Sequence, residues 1–351
     1  MKQDIIQFRY IRVIACLSIV LLHTLFASNV YFETSMSLTD LTVTRAVENL
    51  LMWCVPCFVM VTGALLLEPE KDVPLKKLFY KYIMRMALAL VIFTFIFAVF
   101  EAVVSGGDIA AAGFFKGWLD DMFTGNSWPH MWYLYMMIGL YAMMPVYKVL
   151  FSHASDAALK YITAVMIVFV SVLPLSGITG HESAFYIPTT FIYPAYLFLG
   201  RMIYTGQLRV SRHFAVILTI GCSLLIVMLT YFRYMYGDIA VGEDLIPVYD
   251  RMLFSYPSIL VVGQSIGIFS LLSSVKTKAE APALLVSMDQ CSFGIYLIHM
   301  IFLKLVLQVL LVDPYEYGGA WLFAAMAGAF FTAGYIVTFV LRKVPGVKRV
   351  L

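Results

Sequence analysis

Charge is what this sequence has least of. Asp, Glu, Lys and Arg make up 13% of its 351 residues, against 62% hydrophobic ones, and the mean hydropathy is +0.88. Length alone would suggest two or three soluble domains, but a chain so poor in charge reads as a polytopic membrane protein. Other absences narrow the choice. No short apolar run followed by a small-residue cleavage site opens the chain, so the first apolar segment is expected to stay as a helix. There is no internal repeat, no low-complexity tract and no large segment outside the apolar runs, which places function inside the helix bundle or at its mouths. The five cysteines, Cys16, Cys54, Cys57, Cys222 and Cys291, all sit in apolar stretches and read as small hydrophobes without a disulfide framework. "CVPC" at 54–57 has redox spacing, yet such motifs belong at an exposed helix start beside a sheet. The formal charge of +3 arises from basic residues interspersed with acidic ones and carries no nucleic-acid meaning.

What is present is hydrocarbon-spanning sequence. Apolar runs of about 18 to 25 residues, enough to cross a core of about 30 Å, fall at 8–28, 46–67, 82–104, 130–150, 160–178, 188–205, 214–235, 251–273, 290–311 and 319–341. The expected fold is therefore all-α: a membrane helix bundle of about ten transmembrane helices forming one domain over 1–351. Residues 105–129 hold enough aromatics for a short helix lying at the interface. With the N-terminus inside, eighteen Lys and Arg fall on inner segments and only Arg45, Lys116, Arg233 and Arg251 on outer ones. The inner set includes Lys2, Lys71, Lys76, Lys77, Arg85, Lys276, Lys278 and Arg342; the outer loops carry acids such as Glu243 and Asp244. That bias puts both termini in the cytoplasm.

A few polar residues stand inside the runs, where ionisable groups are costly and usually functional. Arg12 and His23 share the first helix in "FRYIRVIACLSIVLLHTLF". Eleven residues are three turns plus about 20°, so both side chains point the same way along a rise of about 16 Å. Arg12 is either a snorkelling anchor or one end of a polar track. His23, three turns into apolar helix, calls for a partner, a cavity or a chemical role. On the second helix, "VPCFVMVTGALLL" carries Pro56, expected to kink it, then Thr62 and Gly63; Gly63 reads equally as a close-packing residue. Arg85, deepest of the basic residues before the third helix, sits at about the level of Arg12, as a binding group or a surface anchor. "SWPHMWYLY" at 127–135 has the aromatic belt of an interface, with Trp128, Trp132, Tyr133 and Tyr135, but a belt leaves His130 unexplained. "CSFGIYLIHMIFL" at 291–303 brings Tyr296 and His299 to about the depth of His23. Three imidazoles from three helices thus gather in one half of the bundle and two arginines in the other. Zinc is a use for three histidines, but no spacing here sets ligand geometry and no metal is expected.

In combination these stretches resemble the integral-membrane acyltransferase family 3, and its stand-alone branch that acylates surface polysaccharides. Arg12-x10-His23 is the most specific element. "VPCFVMVTGALLL", with threonine where serine is common, "HMWYLYMMIGLYAMMP" and "SFGIYLIH" are similar to the family's second-, fourth- and ninth-helix signatures, in that order, over nearly the whole chain. One departure is Arg9, where many members carry an acid three residues before the motif arginine.

The resemblance implies acyl-CoA, most often acetyl-CoA, as co-substrate with no permanently bound cofactor. The acceptor would be a hydroxyl of a surface glycan or its lipid-linked precursor, in a bacterial cytoplasmic membrane. On that reading His23 is the general base with Arg12 beside it, and Arg12, Arg85, Thr62 and Gly63 take the donor. His130, Trp132 and Tyr133 face the acceptor, while Tyr296 and His299 shape the site. The expected partners are acyl-CoA, the acceptor and the bilayer, with a homo-oligomer possible and no nucleic acid. The rival class is a transporter using the same polar track, for which the sequence offers no paired Gly/Pro-broken helices. A sensory or scaffolding protein would need no such track.

Overall fold

A computed structural model describes residues 6–69, 74–111, 113–181, 183–185, 187–240, 246–275 and 280–351. Lys2, Lys71, Glu243, Asp244, Lys276 and Lys278 lie outside the described residues. The described chain is helical throughout, without strands. In order the helices are α1 (Ile6–Tyr31), α2 (Leu38–Leu50), α3 (Cys54–Leu66), α4 (Leu75–Ser105), α5 (Phe114–Thr124), α6 (Pro129–His153), α7 (Asp156–Ile178), α8 (Ile192–Thr205), α9 (Arg212–Ala240), α10 (Ile246–Leu253), α11 (Ile259–Ser273), α12 (Ala283–Val309), α13 (Pro314–Tyr317) and α14 (Ala320–Leu341). All ten apolar runs are helical. Eight of the resulting spans, with α2 and α3 counted as one, are long and apolar enough to cross a membrane. The runs at 188–205 and 251–273 are shorter helices than expected, because Pro188 and Pro257 hold the chain out of α-helix and delay α8 and α11. The short helix expected within 105–129 is α5.

The second span differs from expectation at both its start and its break. It begins at Leu38, eight residues before the apolar run, where Ser37 and Asp40 form a reciprocal capping box. The polar residues that obscured this start are used inside. Asn29 on α1 donates to Glu48 at 2.5 Å and accepts from Thr44 at 3.0 Å, while Arg45 pairs with Glu48 at 2.8 Å. The break comes at residues 51–53 rather than as a kink at Pro56. Proline lacks an N–H and crowds the carbonyl four residues back, here Met52, so Pro56 fits only in the first turn of a fresh helix.

Several membrane-embedded hydroxyls bond within their own helices. Thr24 and Ser28 each donate to the carbonyl four residues earlier, at 2.8 Å, and Thr62 does the same at 3.0 Å. All five cysteines are free thiols, and Cys54 and Cys57 are buried, so "CVPC" serves as packing.

The centre of the bundle is α1, which packs against α2, α3, α12 and α14. More than half of the apolar window of α1 and of α12 is buried, against 17% for α9, which faces outward. One tight crossing holds α3 to α8. A Cβ on Gly63 would lie 2.0 Å from the Leu197 carbonyl oxygen, and one on Gly200 the same distance from that of Met60. No side chain fits there, and two glycines let the backbones meet, as small residues do in membrane bundles.

Gly63→Leu or Gly200→Leu is therefore expected to separate α3 from α8 and to cut the yield of detergent-stable monodisperse protein several-fold. Gly139→Ala, at a position with open space beyond it, should leave the yield unchanged in the same size-exclusion assay.

Candidate active site

Two helices carry the site, and they run parallel in fixed register. Arg12 meets Asp289, Cys16 donates to the Ser292 carbonyl at 3.4 Å, His23 meets His299, and Tyr31 donates to Gln308 at 3.2 Å. The four rungs have sequence offsets of 277, 276, 276 and 277 residues. At 1.5 Å per residue, the rise from Arg12 to His23 is about 16 Å and that from Asp289 to His299 about 15 Å, so both ends stay matched without bending either helix.

At the first rung Arg12 donates from Nε to Asp289 Oδ1 at 2.5 Å and from Nη2 to Oδ2 at 2.9 Å. Arg9 adds a third bond to Oδ2 at 2.7 Å. The planar guanidinium thereby spends one edge on a carboxylate in the bidentate geometry that arginine favours. Asp289 is thus the carboxylate that both arginines of α1 share. This aspartate was missed in the sequence, although an acid among the basic residues flanking an apolar run was a signal. Arg12, Arg85, Thr62 and Asp289, together with Arg342, line a cavity of about 410 Å³. Three arginines against one aspartate leave its wall cationic. Within it Arg85 donates to the main-chain oxygens of Val350 and Leu351 at 3.1 and 2.6 Å, and Arg342 to Leu351 at 2.7 Å. Gly63, expected on this wall, is not among its residues; it is occupied at the α3–α8 crossing.

At the third rung the imidazoles of His23 and His299 stack, centroids 5.1 Å apart and planes 7° from parallel, with His23 Nδ1 2.8 Å from His299 Nε2. His299 Nδ1 lies 3.1 Å from the Ile295 carbonyl oxygen. A carbonyl only accepts, so Nδ1 of His299 bears the hydrogen, and in a neutral ring its Nε2 is an acceptor. His23 Nδ1 then donates to it, and the lone pair of neutral His23 is directed to Nε2. This tautomer is assigned from the hydrogen-bond chain. His130 completes the group at 6.1 Å from His23 and 5.8 Å from His299, edge-on to both. It is buried, and its main-chain oxygen accepts from the Tyr296 hydroxyl. The described His, Cys, Asp and Glu residues form no cluster arranged to hold a metal.

Beyond His130 lies a charged group that was not singled out in the sequence. Lys304 pairs with Glu101 and stands 4.4 Å over the Trp128 ring, whose Nε1 donates to Glu101 at 2.8 Å. Trp128 stacks on Phe97 at 4.0 Å, and Phe97 in turn contacts His130. Opposite charges inside two apolar runs were the available signal.

A void of about 10 Å³ touches His23, bounded by Ile19, Trp132, Tyr133, Tyr256 and Tyr296 among others. Ile19, Tyr133 and Tyr296 also line the cationic cavity, whereas Trp132 lines a second, larger one. His23 thus borders a small void whose wall shares residues with both larger cavities. A cationic pocket, a ring nitrogen with a free lone pair and a separate second pocket are the parts of a group-transfer site inside a membrane bundle.

The family model for the acyltransferase domain matches residues 5–342. The chain belongs to this family, acyltransferase family 3, and is a multi-pass membrane protein that transfers acyl groups. No curated protein and no solved structure matches it.

Removing the carboxylate tests the first rung. Asp289→Ala, which leaves two arginines facing each other, is expected to cost on the order of 2 kcal/mol in thermal unfolding. The double variant Arg9→Asp/Asp289→Asn, which returns an acid to α1 one turn from Arg12, should recover most of the melting temperature.

Proposed function

We propose that the protein moves an acyl group, in the first place acetyl, from cytoplasmic acyl-CoA to a hydroxyl of a surface glycan or its lipid-linked precursor, within a bacterial cytoplasmic membrane. The observation that carries this reading is the His299–His23 hydrogen-bond chain beside a void that shares wall residues with two cavities, one of them cationic. The anionic nucleotide head of the donor suits the arginine wall of Arg12, Arg85 and Arg342, with Thr62 beside it. Arg85 and Arg342 would give phosphate oxygens the donors that the main-chain oxygens of Leu351 and Val350 now hold. The pantetheine arm then carries the thioester the length of the α1 track, about 16 Å, to Tyr133, Tyr296 and His23.

His23 acts there as general base. Its Nε2 takes the proton of the attacking hydroxyl, the oxygen bonds to the thioester carbonyl carbon, and the C–S bond breaks. The imidazolium returns its proton to the departing thiolate, so atoms and charge balance. His299 is a positioning residue that holds the tautomer, as the carboxylate does for the histidine of a hydrolase triad. His130, Trp132 and Tyr133 stand on the acceptor side.

Purified protein with labelled acetyl-CoA and a panel of sugar acceptors tests the reading: CoA release with label on the acceptor supports it, and transmembrane flux without CoA release overturns it. His23→Ala should abolish transfer while membrane abundance stays at the wild-type level. His299→Leu is expected to lower kcat about 100-fold, within the usual range of an acid–base contribution, with donor affinity unchanged. His299→Gln, whose amide oxygen can still accept from Nδ1, should retain more turnover than His299→Leu; equal loss in both would remove the positioning role.

A further inference from the structure

After α14 ends at Leu341, the chain turns back onto the bundle. Gly346, at φ 95°, adopts a left-handed conformation that favours glycine and leads into a single turn at Val347–Arg349. Beyond that turn Leu351 is 1% exposed and belongs to the core, with Val347 and Val350 packed against the same cluster. Lys348 and Arg349, on the other side of the turn, are exposed. The segment is thus seated by its apolar residues.

Its main-chain oxygens meet the arginines of the cationic cavity. Val350 accepts from Arg85 Nε at 3.1 Å and Leu351 from Arg85 Nη2 at 2.6 Å. Two oxygens on Nε and Nη2 occupy the edge with which a guanidinium grips carboxylate or phosphate. Arg342 Nη1 donates to the same Leu351 oxygen at 2.7 Å, so two cations converge on one acceptor. Arg85 also lies 5.0 Å from the Phe293 ring, which fixes the plane of its guanidinium. Neither Val350 nor Leu351 lines the cavity, so the segment holds the arginine edges without filling the space. Unlike Arg9 and Arg12, Arg85 and Arg342 form no ion pair with Asp or Glu among the described residues. Hydrogen bonds to an ionised acceptor are roughly twice as strong as neutral ones. A phosphate therefore outcompetes a peptide carbonyl for the same edge.

We propose that residues 344–351 form an autoinhibitory latch: their main-chain oxygens hold the phosphate-gripping edges of Arg85 and Arg342, and the donor binds by displacing them. This rests on the reading of the arginine wall as the donor site and adds its regulation, because donor affinity is then set by how often the latch is open.

Equilibrium binding of CoA to the detergent-solubilised full chain is compared with binding to two variants. One is truncated after Lys343; the other, Leu351→Ser, keeps the main-chain oxygens and loses the apolar anchor. The truncated chain should bind CoA about tenfold more tightly, the ratio for a site open about one-tenth of the time, with Leu351→Ser in between. Pantetheine, which carries no phosphate, should bind all three alike. Unchanged or weaker CoA binding in both variants overturns the latch and makes the segment a support for the arginines, and an equal gain for pantetheine overturns it as a change in cavity shape. Arg85→Gln in the full chain reads the donor site separately. Undiminished CoA binding there removes the donor reading and the latch with it, whereas a loss there without a gain in either variant removes the latch alone.

Discussion

The contact between α1 and α12 is the constraint on which the site depends. Two parallel helices are tied by an ion pair at one end, an imidazole pair 11 residues on, and hydrogen bonds between and beyond. A shift of either helix by one residue moves it about 1.5 Å and turns it by about 100°, which breaks every rung together. The cationic cavity and His23 are therefore set at a fixed separation by covalent spacing along two rods, a preorganisation that group transfer favours.

Buried polarity has a second role at the edges of this frame. Asn29, Thr44, Arg45 and Glu48 bind α2 to α1, and Asn49 donates to Thr230 on α9 at 3.1 Å. These pairings offset the desolvation of the buried groups. Tyr315 in α13 donates to the same Asn29, so the segment between α12 and α14 is fastened to the network as well.

Much of this was legible in one dimension. Hydropathy located all ten helices, and helical phase put Arg12 and His23 on one face, because both depend only on local spacing. Depth counting brought His23, His130 and His299 to one level for the same reason. What stayed hidden depends on which helices are neighbours. Asp289 lies 277 positions from Arg12, and no periodicity reports that pairing. Gly63 could not be told from a ligand-lining glycine until Leu197 was seen against it. The polar start of α2 was passed over because Asp40 and Arg45 break the hydropathy ahead of the apolar run, although Ser37 and Asp40 had the spacing of a cap. Glu101 and Lys304 were each diluted by apolar neighbours, and their relation exists only across helices.

The small void at His23 has a consequence of its own. A polar site inside a membrane bundle must not become a conduit, since a continuous water file would carry protons and discharge the voltage across the bilayer. The two cavities are separated here by Ile19, Trp132, Tyr133 and Tyr296 around a space of about 10 Å³, room for about one water. A hydrated ion does not fit. The side chains packed around His23 are thus also a barrier to leakage, and the polar group costs the bundle none of its insulation.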